Sequence, residues 1–357
     1  MRIVITGASG NVGTALLRRL QGSGAAHEIE GVCRRPPAHG APYEGVAWTS
    51  VDLADADAKQ TLVRVFQGAD AVVHLAWGFQ PAHDHAYLER VGVDGTRAVV
   101  KAAQEVGVPR LVHLSSVAAY SSGPKSRRID ESWPTGGVFT LPYSRHKVAA
   151  ERLLDAHEQQ YPGRPGITRL RPGLVVQRDA GSSLLRYGLP AVAPSMLVRH
   201  IGVLPLDKDF AVQFIHADDV ASAIDLALAK ETTGAVNLAG EPIVTRRLIA
   251  DALAARELHV PRRVLRTVTA ATWRTHLQPL EPGWVDLAFA VPLMDTSRAG
   301  EELGWRPTVD MTTALREVLE GMGAGHGTSS PALRPRTVVD ELRRVVSHGP
   351  VGKRRLP

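Results

Sequence analysis

A chain of 357 residues, 44% of them hydrophobic, exceeds the usual size of one domain and has ample material for a core. Its single cysteine, Cys33, excludes an intrachain disulfide framework and a cysteine-built zinc cluster, and reads as a buried strand residue. The net charge is +6, but from Gly323 onward seven basic residues face two acidic ones, so five of the six charges belong to the tail and the body carries no sign of a nucleic-acid partner. No run of eighteen apolar residues occurs, and Met1 leads directly into a strand-like run without a basic region and apolar segment. A soluble, cytoplasmic protein with a small-molecule substrate and no membrane partner is expected.

The first strand-like run, 3–6, feeds into Gly7-Ala-Ser-Gly-Asn-Val-Gly13 and then an apolar-periodic stretch over 12–20. A helix starting there aims unpaired backbone N–H groups and the positive end of its dipole at one point, where a phosphate can sit. Gly7 permits the sharp turn, Gly10 lets backbone approach a pyrophosphate, and Gly13 lets helix pack on strand. Gly7, Ser9, Gly10, Asn11, Val12 and Gly13 are therefore cofactor candidates. Further strands are predicted over 28–33, 46–48, 71–75, 110–114 and 167–170, with helices over 57–66, 87–106 and 144–157 between them. Alternation of this kind implies parallel strands, so the fold class is α/β, a Rossmann-like doubly wound parallel sheet with helices on both faces. Residues 1–173 are expected to form most of the dinucleotide-binding domain, with strands near 213–216 and 235–238 completing its sheet. Residues 174–322, richer in Pro and Gly, are expected to form a small C-terminal substrate-binding lobe. A last body helix is predicted over 312–319. Residues 323–357 have linker composition and read as a basic, flexible tail with one isolated helix over 338–346.

Leu141-Pro-Tyr-Ser-Arg-His-Lys147 sets a phenol and an ammonium one helical turn apart on one face. A free phenol titrates near ~10, so acid–base work near neutrality needs Lys147 and the charge of an oxidised nicotinamide to lower it. Ser115 and Ser116 end the 110–114 strand at its carboxyl edge, where a hydroxyl can donate to a carbonyl oxygen gaining negative charge.

Together these residues resemble the extended short-chain dehydrogenase/reductase superfamily, which contains the NAD-dependent epimerases and dehydratases. The resemblance covers residues 1–322. It rests on Thr6-Gly-Ala-Ser-Gly-Asn-Val-Gly13, Asp52-Leu53, His74-Leu-Ala-Trp77, Ser115-Ser116, Tyr143 with Lys147, Arg171-Pro-Gly173, His216-Ala-Asp-Asp-Val220 and Leu303-Gly-Trp-Arg-Pro307. It implies Tyr143 as acid–base, Lys147 as its activator and a ribose ligand, and Ser116, four residues before Tyr120, as donor to the substrate oxygen. It also implies Asp52 at the adenine and Pro172 beside the nicotinamide, with Leu53, Leu75, Ala76, Trp77 and Ser115 among the dinucleotide contacts, and a homodimer through the Tyr87 and Ser144 helices.

Three departures from the superfamily pattern bear on chemistry. Val117 and Ala118 follow Ser116 where sugar 4,6-dehydratases carry an Asp-Glu pair, which disfavours dehydration. The Asn usual in the helix after the fourth strand is replaced around Gly92. Arg34 and Arg35 close the second strand without the acid that would bind a ribose 2′-hydroxyl, which favours NADP over NAD. Trp77, Phe79 and Gln80 are candidate substrate-pocket walls beside Ser116 and Val117, and Arg178, Arg186, Tyr187, Arg199 and Gln213 are candidates for reading a polar ligand. His83 and His85 lack a third metal ligand, so no metal is expected. The leading function is an NAD(P)-dependent oxidoreductase acting on a carbonyl or alcohol of a small organic or sugar-like substrate. The alternatives are a nucleotide-sugar epimerase with tightly bound NAD and a non-catalytic dinucleotide-sensing regulator.

Overall fold

The short β-branched runs and the apolar-periodic stretches between them fold in the order β1 (Arg2–Thr6), α1 (Asn11–Gly22), β2 (Glu28–Cys33), β3 (Ala47–Ser50), α2 (Ala58–Phe66), β4 (Ala71–His74), α3 (Gly95–Glu105), β5 (Arg110–Leu114), α4 (Pro142–Gln160) and β6 (Gly166–Pro172). There follow α5 (Gly181–Gly188), α6 (Ala217–Lys230), β7 (Gly234–Leu238), α7 (Arg246–Leu253), α8 (Arg262–Arg274), α9 (Gly283–Ala290) and α10 (Met311–Ala324). The structure, a computed structural model, describes residues 1–79, 83–188, 198 and 200–335. The helix predicted over 338–346 lies outside the described residues.

The seven strands form one parallel sheet in the order β7-β6-β5-β4-β1-β2-β3. The order reverses between β1 and β4, and this opens a crevice beyond their carboxyl ends. One sheet face is covered by α1 and α6 through Leu16, Leu17, Val220 and Ile224, with Trp305 sealed beneath them. The other is covered by α2, α3 and α4 through Leu62, Phe66, Val99, Val100 and Leu154. Each such fully buried aliphatic or aromatic side chain contributes about 1.5–3 kcal/mol, so both faces hold the sheet rigid under the crevice. No helix among the described residues is long and apolar enough to cross a membrane.

Three expectations are corrected. The helix predicted over 87–106 is interrupted: a short helix His85–Glu89 passes through a π-helical turn, Arg90–Asp94, before α3 begins. Residues 213–216 do not complete the main sheet. Phe214–His216 instead pairs with Leu174–Val176, because the chain leaves the sheet at Pro172-Gly173 and the Gln213 carbonyl packs where a Cβ on Gly173 would stand. Residues 325–335 are not a loose tail in their described part. Leu333 is buried, and the Ser330 hydroxyl donates to the Ser9 carbonyl at 2.6 Å, so this strap is fastened to the phosphate turn.

Candidate active site

One cleft of about 510 Å³ runs along the crevice and onto the smaller lobe. Its floor at one end is the phosphate turn. Gly7 has φ of 75°, and a Cβ there would stand 2.6 Å from the Ala76 nitrogen, while one on Gly13 would fall on the Ala8 carbonyl. Gly10 occupies the N-cap of α1 and no side chain caps that helix, which leaves its first N–H groups facing the cleft. These residues fit the diphosphate of a dinucleotide. Asn11 lines the cleft too, but its side chain is committed: its amide donates to the Val175 carbonyl at 3.1 Å, and its oxygen accepts from Gln177 at 2.7 Å.

Arg34, Arg35, Asp52 and Leu53 lie together at the far end. There Tyr87, which the sequence marked only as part of a helix, links two of them: its hydroxyl donates to Asp52 at 2.9 Å and accepts from Arg34 at 3.3 Å. Pro331, Ala332 and Leu333 of the strap form the wall opposite, and Arg334 follows them close enough to act on Arg35 as a like charge. The strap is also tied to the smaller lobe, since the buried Arg186 donates to the carbonyls of Ala332 and Arg334. Nothing in the local composition of 325–335 signals this, because the partners lie more than 140 residues away.

At the centre, Ser115, Ser116, Tyr143, Lys147, Leu75, Ala76 and Pro172 share one wall. β5 ends just before Ser115, and the α4 N-terminus is fixed beside it: the Ser144 hydroxyl donates to the Ala118 carbonyl at 2.6 Å and accepts from Val138 N–H at 2.7 Å. The two serines differ. Ser115 donates to the buried Glu151 carboxylate at 2.6 Å, so its hydroxyl faces away from the cleft chemistry. Ser116 accepts from Ala118 N–H at 3.1 Å and lies close enough to Tyr143 to hold the phenol down against the effect of burial.

Electrostatics correct one expectation. Burial pushes the Tyr143 phenol up to about 12, opposed only by Ser116, so without a cofactor charge it is an acid and not a phenolate. The rings of Trp77, Phe79 and Trp284 surround it, with centroids 6.1, 5.2 and 5.1 Å away. Lys147 does not offset them. Burial drives its ammonium well below the usual lysine range, Glu151 opposes this, and its Nζ donates to the Leu114 carbonyl at 2.8 Å while sitting 3.4 Å from the centre of the Trp77 ring. Gly92 in the π-helical turn makes the room: a Cβ there would stand 2.9 Å from the Trp77 indole.

The structure brings the turn, the two arginines, Asp52, Ser116, Tyr143 and Lys147 to one cleft, together with Trp77, Phe79 and Val117. It does not bring Arg178 or Gln213 there. The Arg178 backbone packs against Gly321 of α10, and Gln213 is held on both sides of its amide by the backbone of Met294. Gln80 and Arg199 lie outside the described residues, as does the side chain of Tyr187. His83 stacks on Trp273, with centroids 3.6 Å apart, in a cluster that includes His276.

The profile of the NAD dependent epimerase/dehydratase family matches residues 3–239. The chain belongs to that family. It is 29% identical over 322 residues to the dTDP-6-deoxy-L-talose 4-dehydrogenase (NAD(P)(+)) of Kitasatospora kifunensis, covering 89% of this chain and 94% of that one. An uncharacterized protein of Mycobacterium tuberculosis is 28% identical over 322 residues, 89% of this chain, which spans only 29% of that relative's length. Among solved structures, the UDP-glucose 4-epimerase of Thermus thermophilus, in complex with NAD, aligns with a TM-score of 0.67 at 21% identity over 90% of this chain and 99% of that one. This family member therefore carries the doubly wound fold of the epimerase.

Proposed function

We propose that this family member is an NADP-dependent oxidoreductase that reduces a carbonyl, or oxidises the corresponding alcohol, on a small organic or sugar-like substrate. The observation that carries the reading is the convergence of Ser116, Tyr143 and Lys147 on the cleft that starts at the phosphate turn. A bound dinucleotide supplies or accepts the hydride. Tyr143, protonated in the reducing direction, gives its proton to the substrate oxygen; in oxidation the same group, as phenolate, takes the alcohol proton. Ser116 donates to the same oxygen as negative charge develops on it. Lys147 presents its amino group on the ribose side of the site, in keeping with the family resemblance.

Arg34, Arg35 and Arg334 gather at the adenosine end, and β2 closes at Cys33 without a carboxylate that would repel a phosphate; both features favour a 2′-phosphate. Replacing Tyr143 with Phe should abolish most turnover and leave NADP affinity within about twofold, because the phenol acts on the reacting atoms and not on the diphosphate. Unchanged turnover would overturn the assignment.

A second reading, an epimerase that retains its cofactor, is favoured by one observation, the strap fastened across the adenosine end by Ser330 and Arg186. NAD that survives gel filtration of the purified protein would support it. The homodimer through the Tyr87 and Ser144 helices is a proposal on resemblance alone, and sedimentation velocity checks it.

A further inference from the structure

The substrate half of the cleft is walled by aromatic and aliphatic side chains. Trp77 meets the Tyr143 ring edge-on at 81°, while Phe79 lies nearly parallel to it at 23° and Trp284 at 30°. Leu280 and Leu287 continue the wall. Among the described lining residues the charged side chains are Arg34, Arg35, Asp52 and Lys147, and all four belong to the half assigned to the dinucleotide. Three polar side chains near this half, Arg186 and Gln213 of the smaller lobe and Lys125 of the larger domain, are committed to backbone carbonyls or amides. Arg186 holds the strap carbonyls, Gln213 holds Met294, and Lys125 donates to the carbonyls of Ala211 and Ala288.

A nucleoside diphosphate brings two or more negative charges that require cations or backbone donors where they are buried. An uncharged hydrocarbon framework requires only apolar walls and one polar contact at its carbonyl. The geometry points to the second: we propose that the substrate is a neutral, largely hydrocarbon ketone or secondary alcohol, alicyclic or aromatic, whose oxygen is its one polar contact at Ser116 and Tyr143. This rests on the oxidoreductase reading above. In the reducing direction the carbonyl carbon takes a hydride from the reduced dinucleotide, the oxygen takes the Tyr143 proton, and solvent returns a proton to the phenol. One ketone, one NADPH and one proton give one alcohol and one NADP+.

Binding can be separated from turnover because a ketone with oxidised NADP+ forms a complex that cannot react. Isothermal titration of the NADP+-saturated protein with 2-decalone, a neutral bicyclic ketone, is expected to show binding at least about tenfold tighter than UDP-glucose. Trp284→Ala should weaken decalone roughly tenfold or more by removing one wall, and Phe79→Ala, at a more exposed position, should act in the same direction. Tighter binding of UDP-glucose, no detectable binding of decalone, or decalone affinity unmoved by both substitutions would overturn the substrate class. If decalone binds as expected but is not reduced with NADPH, and 2-decalol is not oxidised with NADP+, the class stands and the oxidoreductase reading fails.

Discussion

Replacing Glu151 with Gln is predicted to destabilise the protein by about 3 kcal/mol, a figure that follows from what its carboxylate holds. Glu151 is 1% exposed and accepts from Arg171 Nε at 2.9 Å, Arg171 Nη2 at 3.0 Å, Arg169 Nη1 at 3.2 Å and the Ser115 hydroxyl at 2.6 Å. Glutamine keeps the volume, so no cavity opens, but it removes the charge and turns an amide donor toward a guanidinium. Breaking one side of a buried ion pair costs about 3–5 kcal/mol, because the surviving charge loses its compensation. The lower end applies here. Arg169 keeps Asp155 and Glu158, while Arg171 is left with the Tyr120 hydroxyl at 3.0 Å and the Glu131 carbonyl at 3.2 Å.

Urea unfolding of both proteins reads this as a shift in midpoint at constant slope. Burial pushes the Glu151 carboxyl up, but Arg171, Ser115 and Arg169 together outweigh it and hold the pKa below the usual glutamate value. A depressed carboxyl contributes stability that is complete above the unfolded value and is lost as pH falls through the folded one. The gap between wild type and variant should therefore be full at pH 7 and close below about pH 4. A loss under about 1 kcal/mol at pH 7, or a gap independent of pH, would refute the reasoning.

Arg35→Ala should weaken NADP about tenfold or more and leave NAD unchanged, since a charge-assisted bond to phosphate is worth about 1.5–3 kcal/mol; equal losses for both cofactors in fluorescence titration would exclude a 2′-phosphate contact. Gly92→Ala drives a methyl against the Trp77 indole and should cost about 1–3 kcal/mol in thermal unfolding while raising KM for an apolar ketone, and an unaltered variant would mean that the indole is not held there. Ser330→Ala removes the buried bond to the Ser9 carbonyl and should speed NADP release in stopped flow severalfold, because about 1 kcal/mol of strap closure is lost. An unchanged release rate would show that the strap does not restrain the cofactor.

The sheet was legible because its signals are local. β2 and β5 fall on the predicted residues, and the other body strands lie within one or two residues of theirs, since β-branched runs and the glycine turn act through near neighbours. The Tyr143 and Lys147 pair was legible for the same reason, a four-residue spacing on one helix. Arg178 and Gln213 misled because polarity in a lobe of irregular structure does not say which way a side chain faces; Gln213 satisfies the Met294 backbone, 81 residues on. The role of Tyr87 is not legible in the sequence because its partners, Arg34 and Asp52, come from two other segments.

Sequence by itself determined the parallel architecture and the phosphate turn, and offered the serines, tyrosine and lysine as candidates, because period, spacing and residue chemistry are properties of short windows. Tertiary structure decided that Ser115 turns to Glu151 while Ser116 lies beside Tyr143, that burial pushes the phenol up, and that residues 325–335 close one end of the cleft. Each depends on desolvation or on contacts between segments remote in the chain, and both arise only once the sheet has brought those segments to one edge.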